Sequence, residues 1–205
     1  MKSKAETYIK VCSGKTAFNN ELFVYQSAYP YKAELIEVQK PHTLVLSKIE
    51  GIPYLDIKPL LGSIIQKLAF VISKFHSLLH LDDKVLCHWD NQPRNILWDE
   101  QRQSLYLVDF EDIRLAYPEA DITHLFLFWA EVMDNETFRE LSDTFIKAYQ
   151  KKHRLNTERW KTETRKSRNR FDSRRCKYDK KEQVANPDRY ANRRYLSGMI
   201  SDTLK

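Results

Sequence analysis

The chain has 205 residues, 42% of them hydrophobic and 12% aromatic, which is enough to bury a sizeable core and too apolar for a disordered segment. No apolar run reaches the ~18 residues of a membrane-spanning helix. The basic start Met1-Lys2-Ser3-Lys4 has no apolar stretch behind it, so no signal peptide is read and a cytoplasmic protein is expected. Cys12, Cys87 and Cys176 are far apart and follow no metal-ligand spacing, as reduced, mostly buried thiols would. The net charge of +6 conceals an asymmetry: residues 151–205 carry 18 Lys and Arg against 7 Asp and Glu, whereas residues 1–150 carry 16 against 21. A basic tail on an acidic body either steers towards polyanions such as nucleic acid, through residues 154–182, or is a solvated helical face.

Glu6 to Cys12 is rich in β-formers and is expected to be a strand with Lys10 inside it. A helix follows from about Phe18 to Ser27, with Asn19 or Asn20 as cap and Glu21 in its first turns. Leu35–Val38 and Thr43–Ser47 are two further strands joined by a Lys40-Pro41-His42 turn. Lys48 to Pro53 breaks the pattern, and strand-rich chain gives way there to helix-rich chain. This suggests a small first lobe over 1–51 and a larger one over 52–205. Leu60 to His80 carries the strongest helical period, through Ile64, Ile65, Leu68, Val71, Ile72, Phe75, Leu78 and Leu79. His76 and His80 fall on or beside that face and are read as structural.

A polar loop, His88-Trp89-Asp90-Asn91-Gln92-Pro93-Arg94-Asn95, then leads into two short strands, Asn95–Trp98 and Leu105–Val108, with Asp99 to Ser104 as the hairpin turn. Antiparallel pairing brings the start of the first strand, Asn95, to the end of the second, Asp109. Asp90, five residues upstream, can face the same spot. Hard oxygen donors without a nearby His or Cys suit Mg²⁺, which binds through carboxylates and substrate phosphates. Ile122–Val132 and Thr137–His153 are expected helices. From Thr157 to about Glu182 only Trp160, Phe171 and Tyr178 can anchor a very polar stretch, and a last helix around Tyr190–Ile200 docks back. Asp112 reads as a solvated or helix-capping residue, and Trp89 as a core anchor in preference to a wall of the acceptor site.

His-x-Asp-x-x-x-x-Asn followed by Asp109-Phe110-Glu111 resembles the catalytic core of the aminoglycoside phosphotransferase and choline kinase-like enzymes, relatives of the protein kinases. Pro118-Glu119-Ala120-Asp121-Ile122 resembles that family's Pro-x-x-Asp segment, Leu44–Gly51 resembles its hinge, and the likeness covers roughly residues 8–130. The resemblance implies an α+β, protein kinase-like bilobal fold with a truncated N-terminal β lobe and a mainly helical C-terminal lobe. It implies an ATP- and Mg²⁺-dependent phosphotransferase acting on a hydroxyl of a small molecule. By the same resemblance Asp90 is the catalytic base and Asn95 and Asp109 hold the metal. Lys10 is the lysine on the α- and β-phosphates with Glu21 as its partner, and backbone groups of Ser47, Lys48, Ile49 and Glu50 hold the adenine. His88 and Asp121 brace the loop. The family also places a glycine-containing hairpin over the phosphates before that lysine. Here nine residues precede Lys10 and none is glycine, which leaves three readings: a start further upstream, a reduced enzyme, or a nucleotide-binding chain without turnover. A small atypical protein kinase and a non-catalytic scaffold are the alternatives.

Overall fold

A computed structural model describes residues 6–39, 41–178 and 186–203; side chains are described up to Arg174 and again from 186 to 200. The readings placed on the first residues of the chain, on Lys40, on the Cys176 and Tyr178 side chains and on residues 179–182 lie outside this range. Strand β1 (Thr7–Val11) leads into helix α1 (Lys15–Gln26), followed by β2 (Leu35–Gln39) and β3 (Thr43–Ser47). The three strands form an antiparallel sheet in the order β1-β3-β2, with Lys10 opposite Leu44. Leu44 and Leu46 are buried, as are Val24 and Tyr25 of α1, and all four belong to one core. Helix α1 starts three residues earlier than the sequence suggests, because the Gly14 carbonyl accepts the first helical hydrogen bond from Phe18. Asn19 and Asn20 are therefore inside the helix, and neither caps it. Asn20 instead donates to the Glu111 carbonyl at 2.7 Å, across 91 residues of sequence.

After β3 the chain passes Gly51 into β4 (Ile52–Pro53), which pairs with β7 (Ile96–Asp99), itself paired with β8 (Ser104–Leu107). The backbone runs so close to β7 at Gly51 that a Cβ there would sit 2.9 Å from the Trp98 carbonyl oxygen, so a side chain would force the two segments apart. Helix α2 (Gly62–His76) is shorter than its apolar period. Ser77 closes it by hydrogen bonding to the Ser73 carbonyl, and the Leu79 carbonyl accepts from Leu86 of the next sheet. That sheet, β5 (His80–Leu81), β6 (Lys84–Cys87) and β9 (Arg114–Ala116), has strands of only two to four residues and left no periodic signal.

Helices α3 (Pro118–Val132), α4 (Asn135–Tyr149), α5 (Thr157–Tyr178) and α6 (Arg189–Thr203) complete the fold. Helix α3 is the centre of this half. Ile122, Leu125, Phe126, Leu127 and Trp129 are wholly buried, and α4, α5 and α6 all pack on it. A helix apolar on every side is stable only when enclosed, and each of these side chains contributes about 1.5–3 kcal/mol by leaving water. The polar helix α5 is anchored by Trp160 and Phe171, and Leu196, Met199 and Ile200 of α6 are buried as expected. His76 is also structural: wholly buried, it meets the Tyr149 hydroxyl through Nδ1 (2.7 Å) and Asp121 through Nε2 (3.1 Å). No helix among the described residues is long and apolar enough to cross a membrane.

Candidate active site

The loop between β6 and β7 is held from below by one buried carboxylate. Asp121, in the first turn of α3, accepts the His88 N–H at 2.7 Å on one oxygen and the Trp89 N–H at 2.8 Å on the other. Burial opposes its charge, yet His76, His88 and these amides hold its pKa below the usual carboxylate value. His88 reaches the Val108 carbonyl through Nε2 at 3.0 Å, so the loop is also tied to the end of β8. Asn91 is buried and bonds the Asp121 carbonyl (2.7 Å) and His124 Nδ1 (3.0 Å), a bracing role that the motif alone did not reveal.

This scaffold presents Asp90 at the surface of a cleft. Its Oδ2 accepts from Gln92 (2.7 Å) and Asn95 (3.1 Å), and its Oδ1 meets Arg174 Nη1 at 3.2 Å. Asn95 makes both of its described side-chain hydrogen bonds through Nδ2, to the Asp90 carbonyl and carboxylate. Asp109 follows β8 with φ 69°, a left-handed conformation that a non-glycine residue adopts only when its surroundings hold it there. Across the cleft, Lys10 Nζ lies 2.6 Å from Asp109 Oδ1, 2.7 Å from Glu21 Oε1 and 3.6 Å from Glu111 Oε1. One lysine of β1 thus joins α1 to the segment after β8. Glu21 Oε1 accepts the Phe110 N–H at 2.8 Å as well. Burial lowers the Lys10 pKa, but Glu21 and Asp109 outweigh it and raise it. Burial pushes Glu21 up to about 7, against the pull of Lys10 and the Phe110 amide.

Two cavities meet at Asp109. One, of about 410 Å³, is lined by Tyr8, Lys10, Leu46, Ser47, Ile49 and Asn95 among others. Lys48 also lines it, but Glu50 does not; the Glu50 side chain is turned to Lys48 at 2.9 Å. The Ser47 and Lys48 N–H groups are already committed, to the Glu34 and Glu6 carbonyls, so of the four residues assigned to adenine only Ile49 and Glu50 retain backbone donors. The other cavity, of about 370 Å³, is lined by Ser13, Thr16, Ala17, Asp90, Asp109, Glu111 and Asp112. Glu111 accepts from the Ser13 hydroxyl at 2.6 Å and belongs with Glu21 and Asp109 to a set of carboxylates whose oxygens lie within 4.8 Å of one another. An all-oxygen set of this kind, with Asn95 lining the same cavity as Asp109, fits Mg²⁺ rather than a softer metal.

Trp89 is not the core anchor that its size suggests. It is partly buried, has φ 69°, and carries two guanidinium groups on its ring, Arg170 at 4.0 Å and Arg114 at 4.3 Å from the centroid. Its ring faces Arg170 of α5 and has no part in the buried core cluster. Arg170 and Arg174, one helical turn apart, had no assigned role in the sequence, although their i, i+4 spacing places them on one face.

The Phosphotransferase enzyme family model matches residues 39–162. No curated protein matches the chain by sequence. Among solved structures, aminoglycoside phosphotransferase APH(3'')-Id from Streptomyces rimosus is similar with a TM-score of 0.61 at 15% identity, over 77% of this chain and 84% of that one. Choline kinase LicA from Streptococcus pneumoniae gives 0.62 at 14%, over 97% and 88%. A choline/ethanolamine kinase family protein from Mesorhizobium loti gives 0.61 at 13%, over 98% and 83%. The fold is thus the protein kinase-like one, and with more than half its length matched the chain belongs to the phosphotransferase enzyme family.

Proposed function

We propose that this phosphotransferase moves the γ-phosphoryl group of ATP to a hydroxyl of a small molecule, with Asp90 as the base. The observation that carries this reading is the ion-pair chain Glu21–Lys10–Asp109, which sets a β1 ammonium against a carboxylate beside Asn95 and Asp90. In the transfer, the acceptor oxygen bonds to the γ-phosphorus as the bond from that phosphorus to ADP breaks, and the hydroxyl proton passes to Asp90. Catalysis in such reactions is mostly positioning and charge stabilisation. Lys10 supplies the positive charge for the α- and β-phosphates, and Glu21 fixes its direction. Asn95 and Asp109, with Glu111 close by, are the groups that would hold Mg²⁺, which when bound offsets phosphate charge. The cavity along Ser47–Ile49 takes the adenine, with Ile49 and Glu50 as the backbone donors. The apolar Leu46 and Tyr8 walls fit a purine ring.

Residues 1–51 then form the nucleotide-covering lobe and 52–205 the catalytic one, with the close approach of Gly51 to Trp98 at the boundary. ATP as donor fits a cytoplasmic protein, in keeping with free, buried Cys12 and Cys87. The nucleic-acid reading of residues 154–182 finds no support in the family or its structural relatives. ADP release measured over a panel of sugars, amino alcohols and polyols, for wild type and Asp90→Ala, tests the function. Mg-ATP binding with no turnover of any acceptor would turn the reading towards a nucleotide-binding scaffold.

A further inference from the structure

The side of Asp90 that faces α5 has a charge opposite to that of the metal side. Arg114, Arg170 and Arg174 gather around Trp89 and the outer Asp90 oxygen. Few acids answer them. Arg114 reaches Asp112 only at 3.8 Å, and both of those side chains are about half-exposed. The one carboxylate in contact with Arg174 is Asp90 itself among the described residues. Among the described residues Arg170 has no carboxylate within salt-bridge distance, its buried Nε has no hydrogen-bond partner, and its Nη2 makes a 3.5 Å contact with Ser167. Asp121 is saturated by amides and His76. Burial, with the charges of Arg174 and Arg114, lowers the Arg170 pKa against the opposing charges of Asp121 and Glu163, and burial together with Arg170 and Arg174 depresses His124 to about 3. Such a group of guanidiniums is self-repelling unless an anion joins it. A guanidinium offers a planar fork of donors that matches a phosphate or carboxylate.

We propose that the acceptor is a hydroxylated small molecule that also carries an oxyanion, phosphate or carboxylate, which Arg170 and Arg174 hold beside Trp89 so that its hydroxyl meets Asp90. The proposal rests on the phosphotransferase reading above and names its substrate class. The acids of the neighbouring cavity do not argue for a cationic acceptor. Asp109 and Glu111 are engaged by Lys10 and Ser13, and they form the metal-holding set. The oxyanion would draw the Arg174 fork outward from Asp90 and leave the freed carboxylate oxygen for the hydroxyl. Trp89 stacking keeps the Arg170 plane fixed, so little of its freedom is lost on binding.

The test uses the full chain loaded with Mg-ADP and three sets of probes: glucose 6-phosphate and gluconate as the phosphate and carboxylate arms, glucose as the neutral parent, and choline as a cation. Glucose 6-phosphate or gluconate should raise the melting temperature of the wild type and of an Arg165→Ala/Arg168→Ala control, whose side chains are exposed elsewhere on α5. Arg174→Ala and Arg170→Ala/Arg174→Ala should lose that shift while keeping the one caused by Mg-ADP. In turnover over paired acceptors, the anionic member should be favoured at least about tenfold in kcat/KM, and Arg174→Ala should remove that preference through KM. Equal or better use of glucose or choline would overturn the proposal, as would absence of any anion shift in a protein that binds Mg-ADP. If heparin binds and the control variant loses both heparin and the glucose 6-phosphate shift, the basic face is a general polyanion surface and the proposal fails. Absence of the Mg-ADP shift itself would instead sink the nucleotide reading underneath.

Discussion

The two sides of Asp90 are built on different plans. On the nucleotide side, Lys10 is matched by Glu21 and Asp109, and the positions come from short motifs joined by one hairpin. On the acceptor side, Arg114, Arg170 and Arg174 come from β9 and α5, and cations outnumber their partners. The Lys10 half carries surplus acid around one paired ammonium, which suits a cation, whereas the α5 half carries surplus base, which suits an anion. The first suits a donor held the same way in every turnover, and the second suits selection among acceptors.

The sharpest way to separate the halves is Asp90→Ala. Transfer should fall by at least about a hundredfold, the scale of a lost general base, while Mg-ATP still raises the melting temperature. Turnover within tenfold of wild type would show that the base lies elsewhere. Asp109→Ala should abolish the Mg-ATP shift as well, because Lys10 loses a partner and the metal set an oxygen; a full shift in that variant would remove Asp109 from the nucleotide half. Asp121→Ala acts on both halves through the loop. It leaves the His88 and Trp89 amides unsatisfied, at roughly 1–3 kcal/mol each, so urea denaturation should show a loss of several kcal/mol. An unchanged midpoint would mean that water replaces the carboxylate.

A smaller effect concerns Glu21 and pH. Its pKa of about 7 in the folded chain, above the ordinary 4.5, means that the native state keeps a proton which the unfolded state releases. Its contribution to stability is therefore present in full below about pH 4.5 and is lost as pH rises towards 7. Ionisation over the same rise strengthens the hold on Lys10, so Mg-ATP affinity should increase modestly between pH 6 and 8 in the wild type and stay flat in Glu21→Gln. Parallel profiles for the two proteins would break the link.

How much of this was legible in the sequence follows the same division. The spacing of Asp90, Asn95 and Asp109 and the hairpin between them were readable because their geometry is local, set by five residues and one turn. The partnership of Lys10 and Glu21 was readable only through the family resemblance, since nothing in the sequence shows that α1 packs so that Glu21 meets the Phe110 amide. Trp89 was read as a core anchor before an acceptor-site wall because size argues for burial, whereas its ring meets Arg114 and Arg170 outside the core. Arg170 and Arg174 sat unnoticed in a helix with many charges, where only the packing of α5 on α3 decides which face turns inward. Glu50 was carried over with its neighbours for its backbone groups, and its side chain pairs with Lys48.

Asp121 fixes the direction of the catalytic loop from α3, and His76 on α2 and Tyr149 at the end of α4 lock that carboxylate in turn. Among these contacts α5 has no share. On the proposed reading, the residues of α5 that meet the substrate can therefore change while the loop backbone keeps its anchor on α3; the Asp90 and Trp89 side chains, which Arg174 and Arg170 touch, would feel the change.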